Sequence, residues 1–159
     1  MINLGSKIIH EDMEHIYSIR NDWHKMLHGQ RVYITGATGM IASYLTAYLI
    51  FLNESKSVGV CILANARSEE KLRNRFGEYV DREYFQAIIG DVSESIRVES
   101  EPDYIIHAAS LASPQYYGVR PVETMLPNII GTGPEHISVS TAYIFHHIFH
   151  ASLIYLTSL

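Results

Sequence analysis

Cysteine is nearly missing from this chain: Cys61 is the single one among 159 residues. No disulfide can close within it, which points to a reducing compartment, the cytoplasm. Positive charge is missing from the end. All 12 lysines and arginines lie at or before Arg120, and residues 121–159 keep only two acids, Glu123 and Glu135. The formal net charge of -5 gives no reason to expect nucleic acid or an anionic membrane as partner. No uncharged apolar run reaches the roughly 18 residues of a membrane span, so no membrane is expected. The opening Met1-Ile2-Asn3-Leu4-Gly5 lacks the basic start and apolar run of a signal peptide. No internal repeat stands out. What is there suits one globular domain with a real core: 47% hydrophobic and 18% charged residues.

The chain is organised around Val32-Tyr33-Ile34-Thr35-Gly36-Ala37-Thr38-Gly39-Met40-Ile41-Ala42. Strand-forming residues run into a glycine-bearing turn. An apolar pattern with helical spacing follows it, at Ile41, Leu45, Tyr48, Leu49 and Leu52. Strand, turn and helix start form the context in which such a motif binds a dinucleotide. Gly36 permits the sharp turn, and Gly39 has no side chain to block a phosphate. The helix beyond would offer that phosphate its free N–H groups and the positive end of its dipole. Ala42 stands where the third glycine of the fingerprint packs helix on strand. Thr38, Met40 and Ile41 complete the expected phosphate-binding turn.

Alternating units extend from this point. Residues 8–28 read as a helix ahead of the domain, a packing extension or else a surface for homodimer contacts. Strands are expected at 31–35, 58–64, 84–89 and 104–108. Helices are expected at 40–53 and 69–76, with a short irregular piece near 93–98 and a further helix from about Val122. Nearly continuous apolar strands, each followed by a helix, indicate a parallel sheet covered on both faces. The expected fold is therefore α/β: a Rossmann-like, doubly wound parallel sheet, here incomplete, with an N-terminal helix. The expected divisions are 1–28, 29–132 and 133–159.

Ligands of such sheets sit beyond the carboxyl ends of the strands. Four ends then meet at one crevice: the Gly36 turn, Asn65 with Arg67, Asp91 with Val92, and His107 with Ala108, Ala109 and Ser110. The second strand's end usually reads the adenosine ribose through an acid, and none stands at 64–66. Asn65 is expected to bond the ribose hydroxyls. Arg67 either meets a 2′-phosphate or faces solvent, which leaves NAD and NADP both open. Asp91 is expected to accept from an adenine amino group, with a helix cap as the alternative. His107 reads as a packed residue rather than a catalyst. Ala108 and Ala109 are small enough for backbone to pass close to a cofactor. Ser110 and Ser113 are placed to touch cofactor or substrate.

The residues from Thr35 to Ala42, Gly90-Asp91-Val92 and His107-Ala108-Ala109-Ser110 together resemble the extended short-chain dehydrogenase/reductases. The nearest group is the NAD-dependent epimerase/dehydratase enzymes of nucleotide sugars. Within it, residues 107–132, with Ser113-Pro114, Pro121, Asn128 and Gly131-Thr132, are similar to UDP-glucuronate decarboxylases and dTDP-glucose 4,6-dehydratases. The resemblance implies NAD as cofactor and a UDP- or dTDP-sugar as substrate, with Asn128 near that substrate. It also implies a tyrosine base whose pKa is lowered by a lysine four residues later, beside a Ser or Thr that steadies the reacting hydroxyl.

The chain departs from that pattern. No tyrosine is followed four residues later by lysine, and no lysine follows Lys71. The stretch 153–158 looks like a fifth strand, which would bring Thr157 near the hydroxyl position. Residues 133–151 lack the charged face of a surface helix. These features suggest a reading-frame break near 131–133, with a genuine short paralogue as the competing account. His146 and His150 are spaced i, i+4, but no acid or cysteine stands beside them and no metal is expected. By resemblance the parent activity is nucleotide-sugar decarboxylation, dehydration or epimerisation, and the chain alone is expected to be inactive. The alternative is a non-catalytic dinucleotide-binding module.

Overall fold

A computed structural model describes residues 4, 6–19, 23–94, 96, 98, 101–109 and 143–145. The expected helix from Val122, Ser110, Ser113, Asn128, Thr157 and the stretch 153–158 lie outside them.

Five strands form one sheet in the order β3-β2-β1-β4-β5, every neighbour parallel. They are β1 (Arg31–Thr35), β2 (Cys61–Ala66), β3 (Phe85–Ile89), β4 (Tyr104–His107) and β5 (Tyr143–Phe145). The sheet grows outward from β1 in both directions, so the order reverses between β1 and β4. That reversal opens the crevice where doubly wound sheets take their ligands. β5 lies earlier in the chain than the 153–158 stretch expected for the fifth strand, inside a region rich in β-branched residues.

Alternate strand residues go to opposite faces, as pleating requires. Val32, Ile34, Ile62, Ala64 and Phe85 join the larger core under α2 (Met40–Lys56) and α3 (Glu69–Phe76). Tyr33, Leu63, Ile88 and Ile105 form the second, smaller cluster. The Tyr33 hydroxyl is buried without a hydrogen-bond partner among the described residues, and burial raises its pKa.

α2 is buried on nearly every side, from Ala42 to Leu52. A helix of that kind needs cover on its outer surface as well, and α1 (Lys7–Ile19) supplies it. Met13 is fully buried in the common core. The Tyr44 hydroxyl donates to Asp12 at 2.7 Å. The Lys56 ammonium meets Glu14 at 2.8 Å and lies 4.5 Å from the Tyr17 ring centre. The extension is thus packed onto the domain, and it is not the single helix expected over 8–28. It divides into α1 and a 3-10 turn at Trp23–Leu27.

Among β1–β4, α2 and α3, two boundaries differ from expectation by three residues and the others by two at most. α2 continues past Asn53 to Lys56 and ends at Ser57 in the left-handed region, whose N–H returns to the α2 carboxyl end. β2 starts at Cys61 rather than 58 because the Asn53 amide brackets Val60, bonding its N–H and its carbonyl at 2.8 Å each.

Candidate functional site: the crevice between β1 and β4

The turn after β1 is fixed from two sides. Ala37 N–H donates to the Asn65 carbonyl at 2.8 Å, and Gly39 N–H donates to the Gly36 carbonyl at 2.8 Å. Gly36 has φ +62°, a conformation that L side chains rarely adopt. A Cβ there would also sit 2.8 Å from Ala109 Cα, so the turn and the chain leaving β4 touch backbone to backbone. Gly39 then caps α2 with no side-chain hydrogen bond. The first N–H groups of a helix have no acceptor within it. Among the described residues a Cβ at Gly39 would meet only the Gly36 carbonyl, so no other described group covers its outer side. Met40 is 83% exposed and Ile41 44%, leaving apolar surface beside those donors. An open glycine, free N–H groups and exposed apolar side chains fit a dinucleotide's pyrophosphate. Thr38 turns its carbonyl the other way, accepting from the Arg75 guanidinium of α3 at 3.1 Å.

Thr35 ends β1 and was not among the expected site residues. Its hydroxyl accepts from Ala108 N–H at 3.0 Å and Ala109 N–H at 3.2 Å, and lies 3.0 Å from His107 Nδ1. A hydroxyl has one hydrogen. With two N–H groups donating into the oxygen, that hydrogen goes to Nδ1, so His107 carries its own on Nε2. The buried histidine is a packed residue, as expected, and Thr35 sets the path of Ala108 and Ala109. The signal was a threonine directly before the turn's first glycine.

Asn65 differs from expectation. It is 2% exposed, and its amide is committed to the protein. Nδ2 donates to the carbonyls of Ile88 and Gly90 at 3.1 Å each, and Oδ1 accepts from Gly36 N–H at 3.4 Å. The side chain ties three strand ends together, which replaces the expected ribose contact. Asp91 closes a tight turn rather than capping a helix, since none follows it among the described residues: Oδ1 accepts from Ser93 N–H at 3.0 Å and from the Ser93 hydroxyl. These bonds, the hydroxyl first, hold its carboxyl below the usual carboxylate range, and the charge of Arg67 adds to them. Val92 is buried behind it, and Arg67 is exposed just past β2. Arg75 was also missed, since nothing in its spacing links it to the Thr38 carbonyl. Among the described residues no cluster of histidine, cysteine or acids could hold a metal, and no helix is long and apolar enough to cross a membrane.

A model of the NAD dependent epimerase/dehydratase family matches residues 32–134. The chain belongs to that family. NAD, implied by the resemblance, is the family's cofactor. UDP-glucuronic acid decarboxylase 6 of Arabidopsis thaliana is 35% identical over 102 residues, covering 64% of this chain and 28% of that protein. UDP-glucuronic acid decarboxylase 1 of Danio rerio is 35% identical over 103 residues, covering 65% of this chain and 23% of that protein. Among solved structures, Pen from Bacillus thuringiensis superposes with a TM-score of 0.53 at 27% identity, over 66% of this chain and 32% of that one. The chain therefore spans under a third of the length of these relatives.

Proposed function

We propose that residues 29–132 hold the dinucleotide of an NAD-dependent enzyme that acts on a UDP-linked sugar. The observation that carries this reading is the β1 turn. Gly36, in backbone contact with Ala109, and the uncapped Gly39 aim the first N–H groups of α2 into the β1/β4 crevice. Met40, Ile41 and Ala42 N–H would hold the pyrophosphate. The free side of Asp91 and Val92 would meet the adenine. Ala108 and Ala109 leave room beside the nicotinamide ribose. When bound, the cofactor supplies a hydride acceptor.

The substrate class comes from the relatives named as UDP-glucuronic acid decarboxylases. Ser110 and Ser113 are assigned to cofactor or sugar by their place just past β4 in the sequence, Asn128 to the sugar by resemblance, and Thr157 to the reacting hydroxyl. No Tyr-x-x-x-Lys spacing stands anywhere in the sequence, so binding without turnover is the reading for the chain alone. A phenol needs such a cation to bring its pKa from about 10 toward neutrality. One unpaired cysteine suits a reducing cytoplasm.

Titrating NAD and NADH into the folded 159-residue chain tests the site, with melting temperature and NADH fluorescence as readouts. Saturable binding and a raised melting temperature are expected, with UDP-glucuronate unchanged. A folded chain indifferent to pyridine nucleotides overturns the site. Conversion of UDP-glucuronate overturns the claim of inactivity alone.

A further inference from the structure

We infer that the adenosine end of the crevice is built for a 2′-phosphorylated dinucleotide, with Arg67 as the residue that selects NADP(H) over NAD(H). The inference rests on the dinucleotide site proposed above and departs from the cofactor in the family's description.

A 2′-hydroxyl is read at the tip of the second strand by a carboxylate, which also repels a 2′-phosphate. Residues 64–68 are Ala64-Asn65-Ala66-Arg67-Ser68, with no carboxylate among them. Asn65, the one neutral group that could replace it, is buried and bonded to Ile88, Gly90 and Gly36. Residues 64–68 therefore leave the ribose edge no side chain that prefers a free hydroxyl. The first side chain beyond β2 is the exposed Arg67, which makes no hydrogen bond or ion pair with a described residue. It lies near enough to Asp91 to lower that carboxyl's pKa. Asp91 is held by Ser93 instead, which leaves the guanidinium fork available. A planar fork of that kind suits a phosphate monoester.

Two neighbours support the reading. Ser68 caps α3, yet its hydroxyl makes no capping hydrogen bond, so it is available as a donor. Arg75 brings a second guanidinium to the turn, at the Thr38 carbonyl. The nearby acids are Asp91, Glu69 and Glu70. Glu69 is paired with Arg73 at 3.0 Å, which leaves the charges of Asp91 and Glu70 to oppose the cations.

The test is equilibrium binding of NADP, NADPH, NAD and NADH to the full chain, by calorimetry and by reduced-cofactor fluorescence. The phosphorylated forms are expected to bind at least about tenfold tighter. The preference should narrow as salt rises from about 0.05 M to about 0.5 M, since the contact is exposed. Arg67→Ala should remove it while leaving NAD affinity and the melting temperature unchanged, and Arg67→Lys should restore part of it. NAD binding as tightly as NADP overturns the inference and leaves the dinucleotide site standing. A preference that survives in Arg67→Ala overturns the assignment to Arg67. Failure of all four nucleotides overturns the site itself, and this inference with it.

Discussion

The two ends of the sheet use polar residues for opposite purposes. At the amino end they close on one another. Asp103 accepts from Arg31 N–H at 2.8 Å and pairs with its guanidinium at 3.4 Å, while Asp103 N–H returns to the Arg31 carbonyl at 2.9 Å. The Gln30 carbonyl accepts Cys61 N–H at 2.9 Å, and Asn53 brackets Val60. At the carboxyl end, Thr35 and Asn65 also bond protein groups, but their effect is to hold a loop open. Thr35 draws Ala108 and Ala109 against the turn, and Asn65 clamps Gly36 to the ends of β2 and β3. The donors left over, at the start of α2, have no acceptor within the helix. One end is closed by its own polar pairs, and the other keeps donors for the nucleotide proposed above.

The sharpest way to break this contrast is at Gly36. Gly36→Val combines a positive φ with a Cβ at 2.8 Å from backbone, and should cost about 3 kcal/mol in urea unfolding and abolish nucleotide binding. A variant with full stability would show that the backbone contact does not set the turn. Asn65→Ala strands two buried carbonyls and an N–H, for a loss of about 2 kcal/mol, with weaker nucleotide binding because the turn loosens. Thr35→Val removes the acceptor for Ala108 and Ala109 and should cost about 1–2 kcal/mol. Faster amide exchange at those two residues is the distinguishing readout.

The amino end should respond less. Asp103 has its carboxyl pKa lowered, first by Arg31 N–H and also by the guanidinium. A depressed folded pKa gives stability that is present above the unfolded carboxylate value and is lost as pH falls through the folded one. Asp103→Asn should therefore cost only about 0.5 kcal/mol at pH 7, given its exposure. It should also remove part of the acid destabilisation seen below about pH 4, and leave nucleotide affinity alone. Tyr33→Phe tests the opposite sign. Removing a buried hydroxyl that has no partner among the described residues should leave stability unchanged or raise it by up to about 1 kcal/mol.

Much of the fold could be read before any coordinates, because the strands are apolar runs with a two-residue alternation and the turn has its own glycine signature. Arg31–Thr35 and Glu69–Phe76 fall where the pattern places them. The boundaries that moved were set by tertiary bonds that no local pattern contains. Asn53 reads as a helix stop, yet it remains helical because its amide has Val60 to hold. The long N-terminal helix divided where periodicity alone offered no reason to stop. At the site, residue positions were legible and side-chain duties were not. Asn65 was correctly placed at a strand end, but the carbonyls that claim its amide come from β3 and the residue after it. Arg75 reaches the turn from a helix more than thirty positions downstream, across a contact that only packing creates.

The bare contact between Gly36 and Ala109 has a mechanical consequence. With no side chain between them to absorb a shift, the two loops behave as one lever. Pressure applied where the pyrophosphate would rest is passed directly to the segment that leaves β4.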